Sequence, residues 1–160
     1  MLLVAATSVA LGIANPSAAT AWPTYVNVRY GYQICYPARL LKPQPEADNG
    51  DGRKFSGVGG AQLLVFGQFN VSDSSLGQWA ADAARTYTGK RGRITYRAAR
   101  PNWVVLSGTD GGHFAFYTKT LKRDDEFVTF QLKYSHDQAR LYRPIVERLS
   151  RCMVLTRLPS

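Results

Sequence analysis

The chain has 160 residues, 45% of them apolar and 19% charged, with a formal charge of +9 at pH 7. That balance excludes a disordered or low-complexity chain and leaves enough material for one sizeable core. Fourteen of its twenty basic residues are Arg. The surplus favours anionic partners such as membrane head groups, acidic polysaccharide or nucleic acid; the plain alternative is an Arg- and Ala-rich composition that serves no partner.

Leu2 to Ile13 is an apolar run too short for a comfortable membrane span, and Asn15-Pro16 and small residues follow it. Ala19-Thr20-Ala21 and Ser17-Ala18-Ala19 both fit a small-x-small cleavage pattern. Residues 1–21 therefore read as a signal peptide, although no Lys or Arg precedes the apolar run; an uncleaved anchor is the alternative. Residues 22–160 then form a single α/β domain, secreted or periplasmic. In such an oxidising compartment Cys35 and Cys152, the two cysteines, are expected to form a disulfide. A loop of over a hundred residues closed this way is stabilised by roughly 4–5 kcal/mol in the chain-entropy model.

Residues 25–29 and 32–36 read as short strands around Tyr30-Gly31, and Pro37 ends the second. A polar, Pro-rich loop is expected from Lys42 to Gly52. Ala61 to Phe69 alternates Leu63, Val65 and Phe69 against Leu64 and Phe66, so it is apolar on both faces and reads as a central strand. Ser75 and Gln78 fit a capping box. Leu76, Trp79, Ala80, Ala83 and Tyr87 then follow at helical spacing up to Gly89.

Arg93 to Ala99 reads as another strand, and Asn102 to Ser135 as an antiparallel meander. Its turns are Thr109-Asp110-Gly111-Gly112 and Lys122-Arg123-Asp124-Asp125. Val128, Phe130, Leu132 and Tyr134 alternate with Thr129, Gln131 and Lys133. Trp103-Val104-Val105-Leu106, in contrast, is apolar on both sides and must be covered on both. Asp137 is expected to cap a last helix running to about Leu149, bent at Pro144. The predicted class is α+β: a mainly antiparallel sheet of about six or more strands with helices packed on both faces.

Gly31-Tyr32-Gln33-Ile34-Cys35-Tyr36-Pro37-Ala38-Arg39-Leu40 resembles the opening of PsbP-like domains, where Gly-aromatic and two strand positions lead to Tyr-Pro. The order of later elements is also similar to that α/β/α sandwich. The stretch Pro43 to Gly52 (Pro-x-Pro-Glu-x-Asp-Asn-Gly-Asp-Gly) resembles small secreted bacterial proteins of unassigned function. The likeness covers nearly the whole mature chain in layout but only its first forty residues in motif. It implies attachment to a larger assembly rather than catalysis. The same fold occurs in a Ran-binding nuclear protein, so fold alone does not decide function.

Candidate chemistry is sparse. Asp48, Asn49 and Asp51 form a weak calcium candidate: Asn49, Asp51 and Gly52 match three EF-hand loop positions, but both end ligands are missing. The plain reading is a surface turn. His113 and His136 are the two histidines, and Ser135-His136-Asp137 has the composition of a triad without spacing that could let it converge. Gly57-Val58-Gly59-Gly60 leads into a strand, which disfavours a phosphate loop. No cofactor, no metal and no catalytic residue is expected.

The basic run Lys90-Arg91-Gly92-Arg93, with Arg97 and Arg100, is the sharpest charge feature. Period-two alternation would put Arg93 and Arg97 on one strand face. The bland view is a charged edge strand that resists aggregation. The functional view is a contact, through Arg91, Arg93, Arg97 and Arg100, for an envelope protein or anionic polymer. No nucleic-acid partner is expected, at most peripheral membrane contact, and a monomer. The expected function is therefore a non-catalytic binding or accessory module of the bacterial envelope. The alternatives are a small hydrolase using His113 or His136 with a turn carboxylate, and a purely structural module.

Overall fold

The computed structural model describes residues 22–157; the proposed signal segment lies outside them. The elements, in chain order, are β1 (Thr24–Asn27), β2 (Tyr32–Cys35), β3 (Lys42–Glu46), β4 (Gly52–Ser56), β5 (Gln62–Phe69), α1 (Leu76–Thr88), β6 (Arg93–Arg100), β7 (Trp103–Thr109), β8 (Phe114–Arg123), β9 (Glu126–Ser135), α2 (Ala139–Cys152) and β10 (Val154–Leu155). They make an α+β fold with two sheets. One has three strands, in the order β1-β2-β10; the other has seven, in the order β3-β4-β5-β9-β8-β7-β6. The strand pairs in both are antiparallel.

The meander β7-β8-β9 pairs without a register shift, Trp103 opposite Leu121 and Phe130 opposite Lys119. Its turns carry φ values that few residues tolerate, +76° at Gly111 and +47° at Asp124. Alternation then sorts the side chains. Val104 and Leu106 point to the side covered by α1, where Ala80 is fully buried among them and Ile94 packs alongside. Trp79 stacks on Phe127 at 4.9 Å, and its indole N–H donates to the Thr120 hydroxyl at 3.1 Å. The hydroxyls of Thr120 and Thr129 bond each other, so the polar pair buried under the indole is satisfied. Val128, Phe130, Leu132 and Tyr134 join the larger cluster with Phe55, Leu63, Tyr142 and Leu149, which also takes in Tyr32 and Ile34 of the small sheet.

Three features fasten the small sheet to the large one. The Arg123 guanidinium donates to the carbonyls of Tyr30 (2.9 Å) and Thr156 (2.7 Å) and pairs with Glu126 at 2.8 Å. Asn27, 2% exposed, accepts from the Tyr30 amide and donates to the Gly50 carbonyl. The Tyr25 hydroxyl donates to Glu46; burial first, then this carboxylate, pushes that hydroxyl's pKa upward. Gly67 completes the joint, because a Cβ there would lie 2.3 Å from Cγ of Tyr30.

The Cys35–Cys152 disulfide is formed, with Cα atoms 5.7 Å apart and a sequence separation of 117. It ties β2 to the end of α2 and fits an extracytoplasmic protein.

Two local expectations are corrected. Lys42 to Gly52 is not an irregular loop: β3 and β4 form a hairpin, with a turn over residues 47–51. Pro43 and Pro45 are accommodated because β3 is an outer strand of the sheet, where a missing N–H costs no ladder bond on the free side. Asp137 does not cap α2. It lies in a 3-10 turn, His136–Gln138, and the N-cap is Gln138, which makes no side-chain capping bond. Pro144 lies on the exposed side of α2, and the helix is continuous through it.

Candidate binding surface

β6 is the outer strand at the other side of the seven-stranded sheet and pairs with β7 alone. The expected alternation along it is broken. A β-bulge between Ile94 and Tyr96 shifts the register, so Arg93 lies opposite Thr109 and Arg97 opposite Leu106. Leu106 and Thr109 are an odd number of residues apart and face opposite sides. Arg93 and Arg97 therefore do not share a face, contrary to the period-two reading. Arg100, opposite Trp103, returns to the side of Arg93, and its guanidinium sits 5.8 Å from the indole centroid.

Arg91 sits in the turn that follows α1. The backbone of that turn is pressed against Gly111, where a Cβ would come within 2.3 Å of the Arg91 carbonyl carbon. All four arginines are exposed, and none forms an ion pair among the described residues. They border one free sheet edge from both sides rather than making one flat patch.

Helix α2 carries a second basic surface that the sequence reading missed. Arg140, Pro144, Arg148 and Arg151 fall at i, i+4, i+8 and i+11, and all are exposed. The opposite side of the helix buries Tyr142, Ile145 and Leu149. Spread over twelve positions, the arginines do not look like a run; projecting the helix at 100° per residue would have shown them.

The acidic turn spends its polar groups on itself. Asn49 donates through Nδ2 to Asp51 at 2.8 Å and accepts from the Asp51 amide at 3.2 Å. Arg29 donates to the Asn49 carbonyl, and Tyr32 and the Gly67 amide both donate to that of Asp51. Asp48 is exposed and belongs to the same turn.

His113 and His136 are brought together at one end of the β8-β9 ladder, where the His136 amide donates to the His113 carbonyl at 2.9 Å. Both are exposed, and neither imidazole meets a carboxylate or hydroxyl among the described hydrogen bonds. The Ser135 hydroxyl donates to Gln138. Asp137 lies below its ordinary pKa, first because of Ser135 and then because of the amides of residues 137 and 138. Among the described residues no three His, Cys, Asp or Glu side chains converge as metal ligands would.

Two shallow clefts flank the sheet. One, about 300 Å³, lies between α2 and the sheet and is lined by Ser107, Tyr117, Tyr134, Arg143 and Glu147. Burial raises the pKa of both tyrosines, so each hydroxyl stays protonated near neutrality and serves as a hydrogen-bonding group rather than a base. The other, about 240 Å³, is lined by Gln62, Tyr87, Asp110, Phe114, Gln131 and Lys133. Burial pushes Asp110 up, but the amides of Gly112 and Phe114 and the Lys133 ammonium outweigh it and hold the carboxyl below its ordinary value.

Comparison with solved structures decides the fold. Cyanobacterial PsbP (CyanoP) from Synechocystis sp. PCC 6803 superposes with a TM-score of 0.65 over 91% of this chain and 98% of that one, at 14% identity. The fold is PsbP-like. A protein of unknown function, PA94 from Pseudomonas aeruginosa, superposes with a TM-score of 0.51 over 87% of this chain and 99% of its own, at 10% identity. No family model and no curated protein matches the chain. At such identities the PsbP-like likeness speaks for architecture and carries no site residue across.

Proposed function

We propose that the protein is a non-catalytic binding or accessory module of the bacterial envelope, secreted or periplasmic after removal of residues 1–21. Residues 22–160 act as one domain, an α/β/α sandwich with α1 over Val104 and Leu106 and α2 on the side of Tyr134. The observation that carries the binding role is the free edge of β6, where Arg91, Arg93, Arg97 and Arg100 stand exposed without an acidic partner. Guanidinium groups on both sides of an edge suit an acidic protein segment or anionic polymer laid along it, since each can offer a forked pair of donors. The bulge interrupts the row of backbone donors and acceptors, which disfavours pairing of this edge with a second copy.

The test is cross-linking in intact cells, capture of the protein, and mass spectrometry of what comes with it. The variant Arg91→Gln/Arg93→Gln/Arg97→Gln/Arg100→Gln should lose the captured partner while keeping its fold. An unchanged set of adducts would remove the β6 edge as the contact.

A further inference from the structure

We infer that the exposed side of α2 docks on anionic lipid head groups. This goes beyond the β6 contact and rests on the extracytoplasmic reading above. Among its fourteen residues the helix has Arg140, Arg143, Arg148 and Arg151 against a single carboxylate, Glu147. None of the four arginines forms an ion pair among the described residues. Arg140, Arg148 and Arg151 lie on one ridge spanning about 16 Å at the helical rise per residue. That length is sufficient for each guanidinium to grip a separate phosphate through its fork of donors.

Apolar groups distinguish a lipid surface from a soluble polyanion. Leu141, 44% exposed, lies beside Arg148 on the helical projection, and Pro144 sits between the arginines. Trp22 packs its ring against the Arg148 guanidinium at 4.3 Å. A helix with cations along its exposed side, apolar groups among them and an indole at its flank matches what lies in a head-group layer. A sugar polyanion offers Leu141 little apolar contact, and the acyl boundary of a lipid layer offers it.

The path of the chain points the same way. The Tyr36 amide donates to the Pro23 carbonyl at 3.0 Å, so the chain enters the fold at Trp22 directly on α2. The indole is thereby held at the flank of α2.

The test measures partition of the chain from residue 22 to residue 160 onto vesicles of phosphatidylcholine with and without phosphatidylglycerol. Apolar contact contributes to both, so the ratio of the two partition coefficients reads the head-group charge alone. The wild-type ratio should be large and fall with salt. In Arg140→Gln/Arg148→Gln/Arg151→Gln it should drop on the order of 100-fold, at several-fold per cation. Leu141→Gln, which leaves the charge untouched, should lower binding to the anionic vesicles several-fold. The β6 variant Arg93→Gln/Arg97→Gln/Arg100→Gln should keep most of the wild-type ratio. Equal partition of the wild type between the two vesicle types overturns the inference, as does an equal loss in the α2 and β6 triple variants. Either result leaves the cross-linking test of the β6 edge standing, so the two proposals fail separately.

Discussion

The stapled side of the molecule and the β6 side are built to different standards. On the first, the small sheet, β4, β5, β9 and α2 share a continuous cluster in which Tyr32, Ile34, Phe55, Leu63, Phe130, Leu132 and Leu149 have no measurable exposure. A disulfide, the Arg123 clasp and the Asn27 bonds reinforce it. On the second, α1 meets β7 through a cluster whose fully buried members are Ala80, Val104 and Leu106, and β6 beyond it is mostly exposed. The difference teaches where each role can sit. The stapled side supplies stability that a partner need not provide, and the lightly packed edge is where a partner can bind without disturbing a core.

Matched truncations sharpen the contrast. Tyr142→Ala removes a ring 1% exposed and stacked 5.1 Å from Tyr134, and should cost about 3–5 kcal/mol in chemical denaturation. Replacing both cysteines by Ala should cost about 2–5 kcal/mol, read as a lowered denaturation midpoint that added reductant reproduces in the wild type. Leu132→Ala and Leu106→Ala delete the same atoms from side chains that are 0% and 1% exposed. Both costs should fall within the usual range of about 2–5 kcal/mol, with Leu132 the greater, because the thin α1 layer can relax into the smaller cavity. Equal costs would break the comparison.

Smaller effects follow. Gly67→Ala should cost about 1–3 kcal/mol by overpacking, since the new methyl meets the Tyr30 ring. Ser75→Ala removes the capping box of α1, in which Gln78 and Ser75 bond each other's backbone amides, and should cost about 1 kcal/mol. Asp110→Asn should cost about 1 kcal/mol near neutrality. The Asp110 carboxyl is held below its ordinary 3.8, so its stabilisation is present above that value and is lost as pH falls through the lowered pKa. Acid titration should accordingly narrow the gap between the wild type and Asp110→Asn as pH falls below 3.8 and through the lowered pKa.

Much of the architecture was legible in the sequence. Ser75 and Gln78 announced α1, the alternation of Val128 to Tyr134 announced β9, and the two cysteines announced their bridge. What escaped depends on context that local pattern does not carry. Pro43 and Pro45 argue against a strand unless the strand is known to be an outer one. Nothing in Ile94-Thr95-Tyr96 marks a bulge, so the facing of Arg93 and Arg97 could not be read by period. β10 has only two residues and exists because the disulfide and the Arg123–Thr156 bond bring it to β2. The α2 ridge was hidden because attention to runs of charge passes over arginines eight and eleven residues apart.

The central claim is that the partner binds at the β6 edge and not on the small sheet. Site-specific photo-cross-linking in intact cells tests it most directly, with the reactive residue placed at Arg97 on the edge or at Val26 on the small sheet, both exposed. The account predicts a discrete protein or polymer adduct from position 97 and none of comparable yield from position 26. Adducts from position 26 with none from position 97 would contradict it.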